Sequence, residues 1–123
     1  VPNLDELVAT LKRKAAVTPP GELISGIGYD DIRLGRHPTR ADLDRVSTVH
    51  PILIRHSSGH VSAANSLTLQ SSGISRQTPD PPGGSLDRDA QGEPTGVLRE
   101  TARNLLRLRG ATSDAPFADQ VGA

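Results

Sequence analysis

Cysteine, methionine and tryptophan are all absent from this 123-residue sequence, and Tyr29 and Phe117 are its only aromatic residues. Without cysteine there is no disulfide framework, no zinc–thiolate site and no thiol nucleophile. With two aromatic rings, small aliphatic side chains must make the core, because aromatics normally supply the largest buried areas. Neither sign of charge is in excess: 14 Lys and Arg balance 14 Asp and Glu. That removes the electrostatic footprint of a protein that binds nucleic acid or an anionic membrane surface. The longest apolar runs are the size of Pro51-Ile52-Leu53-Ile54, far short of the roughly 18 residues that span a bilayer. Val1-Pro2-Asn3-Leu4-Asp5-Glu6 lacks the basic and apolar regions of a signal peptide. It also lacks an initiator Met, which predicts a processed chain or a stretch cut from a longer reading frame. The expectation is a soluble, cytoplasmic piece of about one domain or less.

What is present supports folding around a thin core, since 29 of the 123 residues are Leu, Ile, Val or Phe, above the fraction at which chains stay disordered. Leu4, Leu7, Val8 and Leu11 recur with helical spacing, Asn3 stands ready to cap, and Glu6 completes a capping-box pattern. This helix stops before Thr18-Pro19-Pro20-Gly21. Glu22 to Tyr29 reads as a short strand or extended segment, its Leu23, Ile24 and Ile27 interrupted by Gly26 and Gly28. Thr39-Arg40-Ala41-Asp42 is a second capping box opening a brief helix to about Val46. His50 to Arg55 has no internal polar alternation and predicts a strand buried on both faces, as in parallel sheets. After a turn at Ser57-Ser58-Gly59, a helix is predicted from His60 to about Ser71, lined by Val61, Ala64, Leu67 and Thr68, with Gly73 as its left-handed end. Asp89-Ala90-Gln91-Gly92 between Ser85–Arg88 and Pro94–Leu98 signals a hairpin. Arg99 to Arg109 predicts a final helix, and 111–123 a frayed tail.

Several polar groups are candidates for chemistry. His56 and His60 are four apart, a metal-pair spacing on a helix, but Gly59 lies between them and a strand runs into His56. A loop at the carboxyl end of a buried strand is where α/β proteins place ligand contacts, so the loop's polar residues either line a pocket or turn the chain. Asn65, on an otherwise small and apolar segment, needs partners for its amide, from a substrate or from the backbone of the preceding loop. Arg99, Arg103 and Arg107 form an i, i+4 ladder that reads as a solvated helix face rather than a nucleic-acid contact. Glu100 either serves a metal or favours the N-terminus of the helix it begins.

Several segments in fixed order resemble one family. They are Gly26-Ile27-Gly28-Tyr29-Asp30-Asp31, Gly35-Arg36-His37-Pro38-Thr39-Arg40-Ala41-Asp42-Leu43-Asp44, and His50-Pro51-Ile52-Leu53-Ile54-Arg55-His56-Ser57-Ser58-Gly59-His60. Ala64-Asn65-Ser66, Gly73-Ile74, Thr78 to Gly84 and Asp89 to Leu98 complete the series. Across about residues 22 to 103 the chain is similar to amidohydrolase family 3. The resemblance implies a (β/α)8 barrel hydrolase that uses a divalent metal, usually zinc, on carbon–nitrogen bonds other than peptides. The family's His-x-His pair is missing, and a barrel of that kind needs about 250 residues. The expected fold is therefore an α+β or α/β fragment within 1–110: a partial region of the barrel with an inserted helix-hairpin segment, not closed. By the same resemblance Arg55, His56, His60 and Asn65 border the pocket of a small amide substrate, and Glu100 approaches the metal. The remainder of the barrel is the implied partner. Alone the chain is expected to bind no metal and to be inactive. The alternative is a small non-catalytic interaction domain.

Overall fold

A computed structural model describes residues 3–106. The first helix, α1 (Leu4–Ala15), begins where predicted: the Asn3 side chain accepts the Glu6 N–H at 2.8 Å, and Leu7, Val8 and Leu11 are buried. Acidic residues in its first turn and Lys12, Arg13 and Lys14 in its last complement the helix dipole. Strand β1 (Ile24–Tyr29) follows, then two short helices, α2 (Asp31–Leu34) and α3 (Arg40–Asp44), and then strand β2 (Ile52–His56), which runs parallel to β1. The second capping box forms, with the Thr39 N–H donating to Asp42 Oδ2 at 2.8 Å.

Two helix expectations are corrected. Val61–Ala64 is not helical but a strand, β3, that turns back antiparallel on β2 with Leu53 opposite Ala64 and Arg55 opposite Ser62. Helix α4 covers only Ser66–Ser71, and Asn65 is its N-cap rather than a mid-helix residue; Gly73 has the predicted left-handed conformation at φ 71. The likeness of Val61, Ala64, Leu67 and Thr68 to a helical stripe is local. A ladder on each side of β3 outweighs the modest helix preference of its alanines, since strand formation is decided by neighbours more than by propensity. The second correction concerns Arg99 and Glu100. They end strand β5 (Pro94–Glu100), which forms the predicted hairpin with β4 (Gly84–Arg88). A 3-10 turn at Thr101–Leu105 replaces the helix. Arg99 is held between β3 and β4, opposite Val61 and Ser85, so the arginine ladder does not form; Arg107 and the expected tail lie outside the described residues.

The sheet has the order β1-β2-β3-β5-β4, parallel only between β1 and β2. It is open, with β1 and β4 at its edges among the described residues. Alternation along β2 divides the core. Ile52 and Ile54 join Leu7, Leu11, Ile24, Tyr29 and Leu43 under the first three helices, while Leu53 joins Leu69, Leu86 and Leu98 on the other face. No helix of the described residues is long and apolar enough to cross a membrane.

Candidate functional site at the carboxyl ends of the parallel strands

Strands β1 and β2 end side by side, and the residues at and just beyond their ends converge. Tyr29 closes β1 and His56 closes β2. Asp31 opens α2, and the turn after α2 returns His37 to the same place. Tyr29, 1% exposed, stands edge-on to both imidazoles, 5.7 Å from His37 and 5.1 Å from His56 between ring centres.

The hydrogen bonds fix where the protons are. The Ser58 N–H donates to His56 Nδ1 at 3.0 Å, so the neutral ring carries its proton on Nε2, which donates to Asp31 Oδ1 at 2.7 Å. His37 Nε2 lies 3.7 Å from the other oxygen of the same carboxylate. The Tyr29 hydroxyl is 2.7 Å from His37 Nδ1; burial, reinforced by Asp31, pushes the phenol well above its ordinary value, so it stays protonated and donates. Burial holds His37 below the usual imidazole range, with Asp31 opposing. Asp31 is held below the ordinary carboxylate range chiefly by the hydrogen bond from His56. The group is thus one ionised carboxylate flanked by the His37 and His56 rings and a buried, protonated phenol. His37 also lines a cleft of about 520 Å³ with Arg36, Thr39, Asp87, Thr95 and Val97.

Acid should weaken the fold in two steps. His37 binds its proton less readily when folded, so its contribution is full above the unfolded value of about 6.5 and is lost as pH falls from there towards the folded value. Asp31 contributes above about 3.9, and that contribution is lost as pH falls through its lower folded value. Urea midpoints at about pH 7.5 and about pH 5 check the first step. His37→Gln should shrink that difference, and an unchanged difference in the variant counts against the assignment.

Asp30, Asp31 and His56 each bring a potential ligand atom within 4.8 Å of the others. As arranged they form a hydrogen-bonded group, not a vacant coordination shell. Asp30 Oδ1 accepts the Ile32 N–H at 2.9 Å. A cation on His56 Nε2 would displace the proton to Nδ1, where the Ser58 N–H at 3.0 Å would have to give way to the Ser58 hydroxyl oxygen at 2.9 Å as its partner.

Of the residues singled out in the sequence, His56 lies in this cluster. His60 does not, so the two histidines form no i, i+4 pair: His60 Nδ1 is 3.2 Å from Glu100 Oε2, and both side chains are more than half exposed. Arg55 is exposed on β2, across from Ile27 and Ser62. Asn65 is fully buried, its amide bonded to the backbone of Ile52, Ser47 and His50 and to Thr68. Sequence reasoning gave Tyr29, Asp31 and His37 no role, although each lies in a segment of the ordered series. Their signal was position: Tyr29 ends, and Asp31 closely follows, a strand that pairs in parallel with the one ending at His56.

The model of the amidohydrolase family matches residues 1–122. The N-substituted formamide deformylase of Arthrobacter pascens is 42% identical over 106 residues, 85% of this chain and 20% of that protein. YtcJ of Bacillus subtilis, named as an amidohydrolase, is 36% identical over 104 residues, 83% of this chain and 20% of that protein. Among solved structures, an uncharacterized metal-dependent hydrolase from Pyrococcus furiosus superposes with a TM-score of 0.61 at 32% identity, covering 85% of this chain and 19% of that one. The chain spans about a fifth of the length of these relatives. The ordered motifs and a family match along nearly the whole sequence agree, and the chain belongs to the amidohydrolase family.

Proposed function

We propose that this chain forms one wall of the active-site end of a metal-dependent amidohydrolase whose complete form cleaves an amide- or formamide-type bond outside peptides. The observation that carries this reading is the 42% identity to N-substituted formamide deformylase. The parallel pair β1 and β2, joined through α2 and α3, serves as one β-α-β unit of a (β/α)8 barrel, and β3 to β5 as the inserted segment. Ligand sites of parallel α/β sheets lie at the carboxyl ends of the strands, where His56 stands. Arg55, His56 and His60 border the pocket, and Asn65 stands behind them, holding the wall in place. The complete enzyme works in the cytoplasm, and the chain alone is inactive.

For the metal, the Asp30, Asp31 and His56 group is the poorer candidate, because His56 Nε2 and one oxygen each of Asp31 and Asp30 are already engaged in hydrogen bonds. Glu100 and His60 fit as part of a donor set, being a carboxylate and an imidazole side by side and open to solvent. Glu100 also has φ 53 and ψ −125, a conformation that costs a residue with a side chain about 1–3 kcal/mol. It is held there because its N–H donates to His60 O at 2.8 Å and Arg103 Nε donates to its carbonyl at 3.0 Å. Strain of this kind gathers at functional positions. Zinc, when bound, polarises the scissile carbonyl and acidifies a water; the other ligands belong to the remainder of the barrel.

The test uses the longest reading frame that contains these residues. Glu100→Gly is expected to raise the thermal midpoint of the metal-free protein by relieving the strained φ, while lowering zinc content and abolishing turnover of an N-substituted formamide. Residues 1–123 alone should show no turnover. An active Glu100→Gly enzyme with full zinc would remove Glu100 from the metal, and turnover by the isolated chain would overturn the fragment reading.

A further inference from the structure

One guanidinium joins the two segments that carry His60 and Glu100. Arg103 Nη1 donates to Gly59 O at 2.5 Å, and Arg103 Nε donates to Glu100 O at 3.0 Å. Both acceptors belong to residues in the left-handed region, φ 79 at Gly59 and φ 53 at Glu100. Glycine adopts that backbone freely, whereas a residue with a Cβ does so at a cost. The regular β3–β5 ladder ends with Val61 opposite Arg99, so His60 and Glu100 lie just past it. There the Glu100 N–H donates to His60 O at 2.8 Å, and the two side chains meet at 3.2 Å. An exposed pair of that kind is too weak to hold a strained backbone by itself. The other side of the loop is tied down separately, with the His60 N–H donating to Ser58 Oγ at 3.1 Å and the Ser58 N–H to His56 Nδ1 at 3.0 Å.

We propose that Arg103 is a positioning residue: by bridging the two carbonyls it fixes the loop of Gly59 and His60 against the turn at Glu100, so that imidazole and carboxylate meet the metal as a preset pair. This deepens the assignment of Glu100 and His60 to the metal and rests on it. Groups that orient metal ligands from behind are worth about 10–100-fold in metal affinity. Charge alone would act the other way. A guanidinium repels a divalent cation, so neutralising Arg103 would tighten zinc if only its charge mattered, and loosens zinc if it places the ligands.

The experiment uses the same longest reading frame, stripped of metal and titrated with zinc against a chelating dye. Arg103→Gln is expected to weaken zinc binding about 10–100-fold. In the zinc-free protein it should also speed hydrogen exchange of the Glu100 amide about tenfold, because the His60 carbonyl that accepts from it is no longer held in place. Arg103→Lys, a single point of charge instead of a fork, should fall between Arg103→Gln and the parent in both measurements. In a Glu100→Gly background Arg103→Gln should lower zinc affinity no further, since no carboxylate is left to place. A residue that only stabilised the fold would lower affinity equally in both backgrounds. That result, an unchanged or tighter affinity in Arg103→Gln, or unchanged exchange at Glu100 would overturn the proposal. Full zinc in Glu100→Gly removes Glu100 from the metal, whereas zinc lost there with unaltered affinity in Arg103→Gln removes the clamp alone.

Discussion

Asn65→Ala is expected to destabilise the fold by about 3–5 kcal/mol. Asn65 is fully buried, and one side-chain oxygen accepts from Ile52 N–H at 3.0 Å, Thr68 N–H at 3.1 Å and Thr68 Oγ1 at 2.8 Å. Its amide donates to the carbonyls of His50 at 2.8 Å and Ser47 at 3.2 Å. One side chain thus caps α4, anchors the start of β2 and ties down the loop before it. Alanine strands several of these groups out of reach of water, at about 1–3 kcal/mol for each one left unsatisfied. Ile52 N–H keeps a second acceptor in Thr68 Oγ1 at 2.9 Å, which limits the total to about 3–5 kcal/mol. That is a large part of the stability of any small domain. Urea denaturation reads it directly, and a variant within about 1 kcal/mol of the parent would show that the network is not what holds β2 to α4. Asn65→Asp separates cap from network. It keeps the acceptors but turns a carboxylate towards two carbonyls, which raises its folded pKa. Its stability should be full below the unfolded carboxylate value and lost as pH rises through the folded one, opposite to the acid weakening expected of the parent.

Gly96→Ala is expected to be nearly as damaging, for a steric reason. Gly96 has φ +105, and a Cβ there would stand 2.5 Å from Ala64 O and 2.8 Å from Arg40 N. Both neighbours are backbone, so neither yields by a rotamer change; β5 would have to move away from the end of β3 and from the first residue of α3. Overpacking of this kind costs about 1–3 kcal/mol, and the left-handed conformation adds about 1–2 kcal/mol. Gly92→Ala is the control. Its φ is +83, but nothing lies nearer than the Arg76 side chain at 3.6 Å, so only the conformational cost of about 1–2 kcal/mol applies. Equal losses in the two variants would mean that the close approach at Gly96 is unimportant. The approach also brings the start of α3 against β5 and so shapes the cleft that His37 lines with Thr39, Thr95 and Val97.

Local chemistry was legible wherever a few neighbouring residues decide the outcome. Asn3 and Glu6 predict the start of α1, Thr39 and Asp42 that of α3, and Asp89 to Gly92 the β4–β5 turn, because caps and turns are satisfied by atoms within about four residues. The apolar run from Ile52 to Ile54 predicts a strand covered on both faces. It is 0–3% exposed there, with helices above and below. Reading failed at Val61–Ala64 and at Arg99 and Glu100. Those segments become strands because β2, β3, β4 and β5 supply ladder partners from distant parts of the chain, and no local pattern records such pairing.

The same division holds for the site. The residues by themselves determined the family, since the ordered series from Gly26 to Leu98 is a property of the sequence, and they excluded thiol chemistry and a large aromatic core. They also put His56 at the carboxyl end of a buried strand. Only the tertiary structure decided its companions. Parallel pairing of β1 with β2 sets Tyr29 and Asp31 beside His56, and the α2 turn brings in His37. The β3–β5 pairing sets Glu100 against His60, forty positions away. It also decided that Asn65 bonds backbone groups from inside: whether a buried amide meets substrate or backbone depends on which carbonyls and N–H groups the fold brings within about 3 Å, and sequence spacing carries no such distances.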